Sequence, residues 1–253
     1  MNVGVANLYA DPSFTSPVVS QAILGESLET LEKQDKWYRV RQWDGYISWI
    51  YSLFIVDFPE IWEPNFQYRL RSGWVYSEPG MGEKTQRQIT IGAELPGEFV
   101  EEHWLKVTMP DESHGYVYDR KIPEPEVLTD RLLFTAERFL GVSYLWGGKT
   151  PMGFDCSGFV QTVYWLNGVR LPRDSHEQAD HGTNLQNRDR VKKGDLFFFA
   201  SGDIIDHVGI ALDQDRFIHC SGMVKWSSLD PDCPEYDERL DKIYVAANRV
   251  IKP

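Results

Sequence analysis

Residues 153–168 read Gly-Phe-Asp-Cys-Ser-Gly-Phe-Val-Gln-Thr-Val-Tyr-Trp-Leu-Asn-Gly. The apolar run after Cys156 predicts a helix to about Leu166, closed by Asn167-Gly168. Asp155 is placed to cap that helix, and the free N–H groups of its first turn supply a positive end. A cysteine there has two routes to a lowered pKa, the helix terminus and a neighbouring imidazolium. Working outward, His207 (Asp206-His207-Val208-Gly209-Ile210) and His219 (Arg216-Phe217-Ile218-His219) fall in short strand-like runs. Their twelve-residue gap fits two antiparallel strands joined by a turn at Asp213-Gln214-Asp215, which brings the imidazoles together. The pattern suits a nucleophilic thiol, with His207 as the base and His219 holding the tautomer of His207. That chemistry points to a hydrolase acting on amide bonds, with acyl transfer on the same thioester chemistry left open.

The remaining elements set the fold class. Leu132, Leu133, Ala136, Phe139 and Leu140 recur at three and four, predicting a helix that ends at Gly141. Strands are predicted at Asp195–Phe199, Asp206–Leu212, Arg216–His219 and Lys242–Val250. Helices first and antiparallel strands second indicate an α+β domain with helices packed on one sheet. Ahead of it, Ile122-Pro123-Glu124-Pro125-Glu126 reads as a linker, because two prolines exclude helix and central strand.

The first half holds an internal repeat. At an offset of 67, Tyr9, Pro12, Gly25, Leu28, Trp37 and Val40 match Tyr76, Pro79, Gly92, Leu95, Trp104 and Val107. Each copy then reaches Gly-Tyr, at Gly45-Tyr46 and Gly115-Tyr116, which implies three extra residues in copy two. Rich in β-branched and aromatic residues with frequent turns, each copy reads as a small antiparallel barrel.

Of 253 residues, 42% are hydrophobic and the net charge is −12, which argues against non-specific nucleic-acid binding. Residues 130–253 carry 15 Lys+Arg against 18 Asp+Glu, and the remainder 11 against 20, so the N-terminal half is the acidic one. Solubility accounts for this; a preference for an amine-bearing ligand is the sharper alternative. Cys156, Cys220 and Cys233 make no disulfide framework, and Cys220 and Cys233 either pair or are small buried residues, the latter being favoured. His103, His114, His176 and His181 show no metal-ligand spacing and read as surface or turn residues. No metal, cofactor or membrane span is expected, and the chain reads as a monomer. Without a basic and apolar start, it reads as cytoplasmic unless a leader has been removed.

Residues 128–253 resemble the NlpC-type family of permuted papain-like cysteine peptidases. The carrying stretches are Tyr144-Leu145-Trp146-Gly147-Gly148, Phe154–Phe159, Leu171-Pro172-Arg173-Asp174-Ser175, Gly194-Asp195-Leu196, His207–Ile210 and Phe217–His219. The repeats, over roughly 1–57 and 66–122, resemble bacterial SH3-like domains. The combination implies domains at 1–57, 58–124 and 125–253: two SH3-like barrels, then a papain-like α+β catalytic domain. The family cleaves peptidoglycan stem peptides between γ-D-glutamate and a diamino acid, which maps the triad to Cys156, His207 and His219. Tyr144 matches the family tyrosine beside the oxyanion. The similar dipeptidyl-peptidase branch requires a free N-terminal L-Ala, and the resemblance maps its amine ligands to Glu26, Tyr46 and Asp155. Glu26 has Ala93 as its counterpart in copy two, mild support for a specific role. Ser157 and Ser175 match positions that contact the D-glutamyl part. Arg173 either pairs with that residue's carboxylate or forms an internal salt bridge with Asp174 or Asp155.

Overall fold

The computed structural model describes residues 1–57, 62–120 and 122–251, in two compact units, Met1–Pro123 and Glu124–Pro253. The expected boundary at 57/58 borders residues 58–61, which lie outside the described residues. In the first unit, β1 (Val5–Tyr9), β2 (Val18–Ile23), β3 (Glu29–Gln34), β4 (Trp37–Arg41) and β5 (Ile47–Tyr51) form a sheet of order β2-β1-β5-β4-β3. A short pair, β6 (Phe66–Gln67) with β9 (Glu94–Leu95), flanks the second sheet. That sheet contains β7 (Ser72–Tyr76), β8 (Thr85–Thr90), β10 (Gly97–Glu101), β11 (Trp104–Thr108) and β12 (His114–Tyr118), in the order β10-β11-β12-β7-β8. Read from its other end, this is the strand order of the first sheet. Both are SH3-like, and their cores use matching positions: Leu8 and Val75, Ala22 and Ile89, Val40 and Val107, Ile50 and Val117.

The strand register corrects one expectation. Trp37 pairs with Tyr51 and Trp104 with Tyr118, so the offset of 67 persists through the last strand and copy two has no insertion there. The two Gly-Tyr pairs are therefore not equivalent. Gly45 turns the chain at φ +87, with open space where a Cβ would be. Gly115 lies inside β12, where a Cβ would sit 2.4 Å from Val75 Cγ1. One glycine answers a backbone conformation and the other a shortage of space.

The second unit begins with α1 (Leu128–Glu137), the short pair β13 (Lys149–Thr150) and β14 (Gly153–Phe154), α2 (Cys156–Leu166) and α3 (Ser175–Ala179). There follow β15 (Thr183–Asn184), β16 (Leu196–Phe199), β17 (His207–Ala211), β18 (Arg216–Ser221), β19 (Met223–Ser228), α4 (Glu238–Lys242) and β20 (Tyr244–Arg249). The six strands form one antiparallel sheet of order β15-β20-β16-β17-β18-β19. Helix α2 packs on β17 and β18. Strand alternation sends Phe197, Phe199, Ala211 and Phe217 into a second apolar cluster, closed by Leu240 of α4. This is the α+β arrangement expected.

Helix α1 stops at Glu137 rather than near Gly141. The Phe139 and Leu140 amides donate three residues back, to Ala136 and Glu137, so the apolar spacing runs on through a tightened final turn. Neither α3, β19 nor α4 was anticipated; the helices have five residues, too short to show a helical period, and Met223–Ser228 (Met-Val-Lys-Trp-Ser-Ser) lacks strict apolar–polar alternation.

The start of α2 depends on a close approach. The Asp155 amide donates to the Gly148 carbonyl at 3.0 Å, and a Cβ on Gly158 would lie 2.2 Å from that same oxygen. Alanine is the better helix former by about 1 kcal/mol. We nevertheless expect Gly158→Ala to destabilise the protein by about 1–3 kcal/mol in urea titrations, because the clash is with backbone and the loop must move away.

Candidate active site

Cys156 is the first residue of α2 and only 7% exposed. Its position is set by the residue before it. Asp155 Oδ1 accepts from the Gly158 amide at 2.7 Å, capping the helix, and Oδ2 accepts from the Gly147 amide at 2.9 Å. The Arg173 guanidinium grips the same carboxylate at 3.0 and 2.5 Å, and donates to Ser157 Oγ at 3.0 Å. Arg173 is 1% exposed. Of the two pairings left open for it, the structure shows the internal one, with Asp155; the carboxylate is engaged in the same set of bonds.

The two histidines lie on adjacent strands. Gly209 of β17 is opposite His219 of β18, which places His207 diagonal to His219 on the same face. Gly209 leaves room for the rings: a Cβ there would be 2.7 Å from Phe217 Cδ2 and 3.1 Å from His219 Cβ. His207 Nε2 and His219 Nδ1 are 2.7 Å apart, so the Nδ1 of His207 is not the nitrogen committed to its partner. The sulfur of Cys156 lies 3.7 Å from the Asp206 carbonyl, and the Val208 amide also faces it. The thiol is thus bracketed by the backbone groups on either side of His207.

Both groups are charge-averse at rest. Burial, and secondly the Asp155 carboxylate, push the Cys156 thiol up to about 12, against the opposing pull of the Val208 and Ser157 amides. Burial, and secondly the positive charge of Arg239, lower His207 to about 4. His219 is also lowered, by burial first and then by His207. The lowered thiol pKa expected from the helix terminus is therefore reversed: burial drives the thiol and the imidazole each towards its neutral form. Burial raises the Tyr144 hydroxyl, with Cys156 the next cause, keeping it a protonated donor near the sulfur.

The other candidates are placed as follows. Ser175 opens α3 and donates to the Ile205 carbonyl at 3.2 Å. Glu26, in the first unit, accepts from the Ile23 amide at 3.1 Å and from Gln42 Nε2 at 2.7 Å. Tyr46 accepts at its carbonyl from the Gln42 amide, so Gln42 links both residues. At the same offset, copy two holds Ala93 and Met109 in its apolar core. Gln42 was missed by sequence reasoning, although comparing the repeat copies position by position would have flagged it. Ser227, whose Oγ is 3.0 Å from His219 Nε2, was also missed. Cys220 donates to the Phe154 carbonyl and Cys233 to Glu235, and all three cysteines are free. Among the described residues, no group of three His, Cys, Asp or Glu is arranged to hold a metal, and no helix is long and apolar enough to cross a membrane.

The lowered histidines make stability depend on pH. Between 6.5 and about 4 the unfolded chain binds a proton at His207 that the folded chain refuses, so stability is full above 6.5 and falls with pH through that window. From His207 alone we expect a loss of about 3 kcal/mol between neutrality and pH 4. Urea titrations at a series of pH values should show the slope, and His207→Gln should remove that share of it.

Comparisons with known proteins agree with the fold. Residues 141–240 match the NlpC/P60 family and residues 4–56 the bacterial SH3 domain. A Bacillus cereus protein named gamma-D-glutamyl-L-lysine dipeptidyl-peptidase is 27% identical over 92% of this chain and 75% of its own length. A probable endopeptidase of Haemophilus influenzae is 35% identical over 47% of this chain and 77% of its own length. The crystal structure of an NlpC/P60 family protein from Bacillus cereus shares the fold, with a TM-score of 0.83 at 23% identity, covering 100% of this chain and 99% of that one. With a buried thiol at a helix start, a bonded imidazole pair on adjacent strands and these relatives, the chain belongs to the NlpC/P60 family of cysteine-type peptidoglycan peptidases.

Proposed function

We propose that this protein hydrolyses the γ-D-glutamyl bond to the diamino acid in peptidoglycan stem peptides, and that it prefers peptides with a free N-terminal L-Ala. The observation that carries the chemistry is the arrangement of Cys156 against the Asp206–Val208 backbone with His207 bonded to His219. His207 Nδ1 takes the thiol proton as Sγ attacks the γ-carbonyl carbon. The oxyanion receives the Tyr144 hydroxyl and the Cys156 amide. The intermediate collapses, the C–N bond breaks, and the leaving amine takes the proton from His207. Water, deprotonated by His207, then hydrolyses the thioester, releasing L-Ala-γ-D-Glu and the thiol. In this reading Asp155 and Arg173 hold the nucleophile in place, while Ser175 and Ser157 lie on the D-glutamyl side.

Two observations support the specificity. The Bacillus cereus relative named for γ-D-glutamyl-L-lysine matches across 92% of this chain. In addition, the Glu26 carboxylate is held by Gln42 and the Ile23 amide, whereas copy two replaces both side chains with apolar ones. A carboxylate fixed in this way suits an ammonium group, with Tyr46 on the turn that carries Gln42.

The test offers L-Ala-γ-D-Glu-diaminopimelate with its amine free or acetylated. Acetylation should lower kcat/KM about 100-fold or more, since a site built for a polar group rejects its absence strongly. Glu26→Ala, the residue of copy two, should shrink that difference, and Cys156→Ala should abolish turnover. Equal rates on both peptides would refute the free-amine preference. Release of fragments from intact sacculi at a comparable rate would favour a broader wall endopeptidase whose SH3-like domains bind peptidoglycan.

A further inference from the structure

We infer that Ser227 is a positioning residue for the imidazole pair, an inference that rests on the roles just given to Cys156, His207 and His219. The three side chains run diagonally across three adjacent strands on one face of the sheet. His219 is opposite Lys225 of β19, so Ser227 stands one diagonal step from His219, as His219 does from His207. His219 is fully buried and Ser227 is 3% exposed. The contacts are His207 Nε2 to His219 Nδ1 at 2.7 Å and His219 Nε2 to Ser227 Oγ at 3.0 Å.

A neutral imidazole has one N–H and one acceptor nitrogen, and a hydroxyl can serve in either role. At rest, therefore, the chain can be written with its protons in either direction. Once His207 takes the thiol proton only one pattern remains. Both of its nitrogens then carry hydrogen, its Nε2–H must be accepted by His219 Nδ1, and the hydrogen of His219 must sit on Nε2. That hydrogen needs a buried acceptor, and Ser227 Oγ is the one in place. Ser227 thus supports the charged stages of the cycle, acting through His219 without touching substrate. Without it, His219 Nε2 loses its partner at rest too. In the intermediate, however, the loss falls on an N–H bond that must support the imidazolium beside it, so the charged stages suffer more than the resting enzyme.

The experiment measures kcat and KM on the tripeptide for Ser227→Ala, Ser227→Cys and Ser227→Thr, with Cys156→Ala alongside. Ser227→Ala should lose about 10- to 100-fold in kcat with KM within about twofold, the size of one buried hydrogen bond. Ser227→Cys keeps the shape but offers only a weak acceptor, and should be similarly slow. Ser227→Thr retains Oγ and should recover most of the rate. A wild-type kcat in Ser227→Ala, or a Cys variant as fast as wild type, overturns the inference. Activity surviving in Cys156→Ala would instead overturn the underlying triad reading, so the two failures are separable.

Discussion

The catalytic unit hangs on one buried carboxylate. Asp155 accepts from two backbone amides, Gly147 and Gly158, and is gripped by Arg173. These bonds tie the Gly147-Gly148 loop, the helix start and the Arg173 segment to a single point next to the nucleophile. Removing one partner of a buried pair of this kind costs about 3–5 kcal/mol, because the other charge is left stranded. The same carboxylate opposes ionisation of the thiol, an effect that Arg173 partly offsets. What holds the Cys156 thiol in position therefore also adds to the raising of its pKa.

Much of this was legible in the sequence because its signals are local. The helix from Cys156 to Leu166 follows from its cap and apolar run, and His207 and His219 pair as their spacing across one turn implies. The SH3-like repeat was visible from its tryptophans, although a chance Gly-Tyr match misplaced the last strand of copy two. What escaped depends on register or on burial. Ser227 acquires its role only once β19 is known to lie beside β18, and nothing in a six-residue strand announces that. Arg173 had three plausible carboxylate partners, the D-glutamyl one, Asp174 and Asp155, and choosing among them required the fold. The thiol was expected to be acidic because the helix terminus can be read from sequence; the desolvation that outweighs it cannot.

The duplicated barrels show how one backbone slot can serve two ends. Glu26 and Gln42 form a polar pair in copy one, where copy two places Ala93 and Met109 in its core. A part-buried polar pair gives up apolar contact and must be satisfied by hydrogen bonds, so the first barrel accepts a cost that the second avoids. Copy two fills the same two positions with apolar side chains.

The protonated resting state of Cys156 has a consequence outside the catalytic cycle. Peroxides and disulfides react with thiolates, and a sulfur whose ionisation is suppressed by burial presents very little thiolate to them. A sulfur held in this form offers chance oxidants little to react with. Resistance to oxidation would then follow from the same desolvation that raises the thiol's pKa.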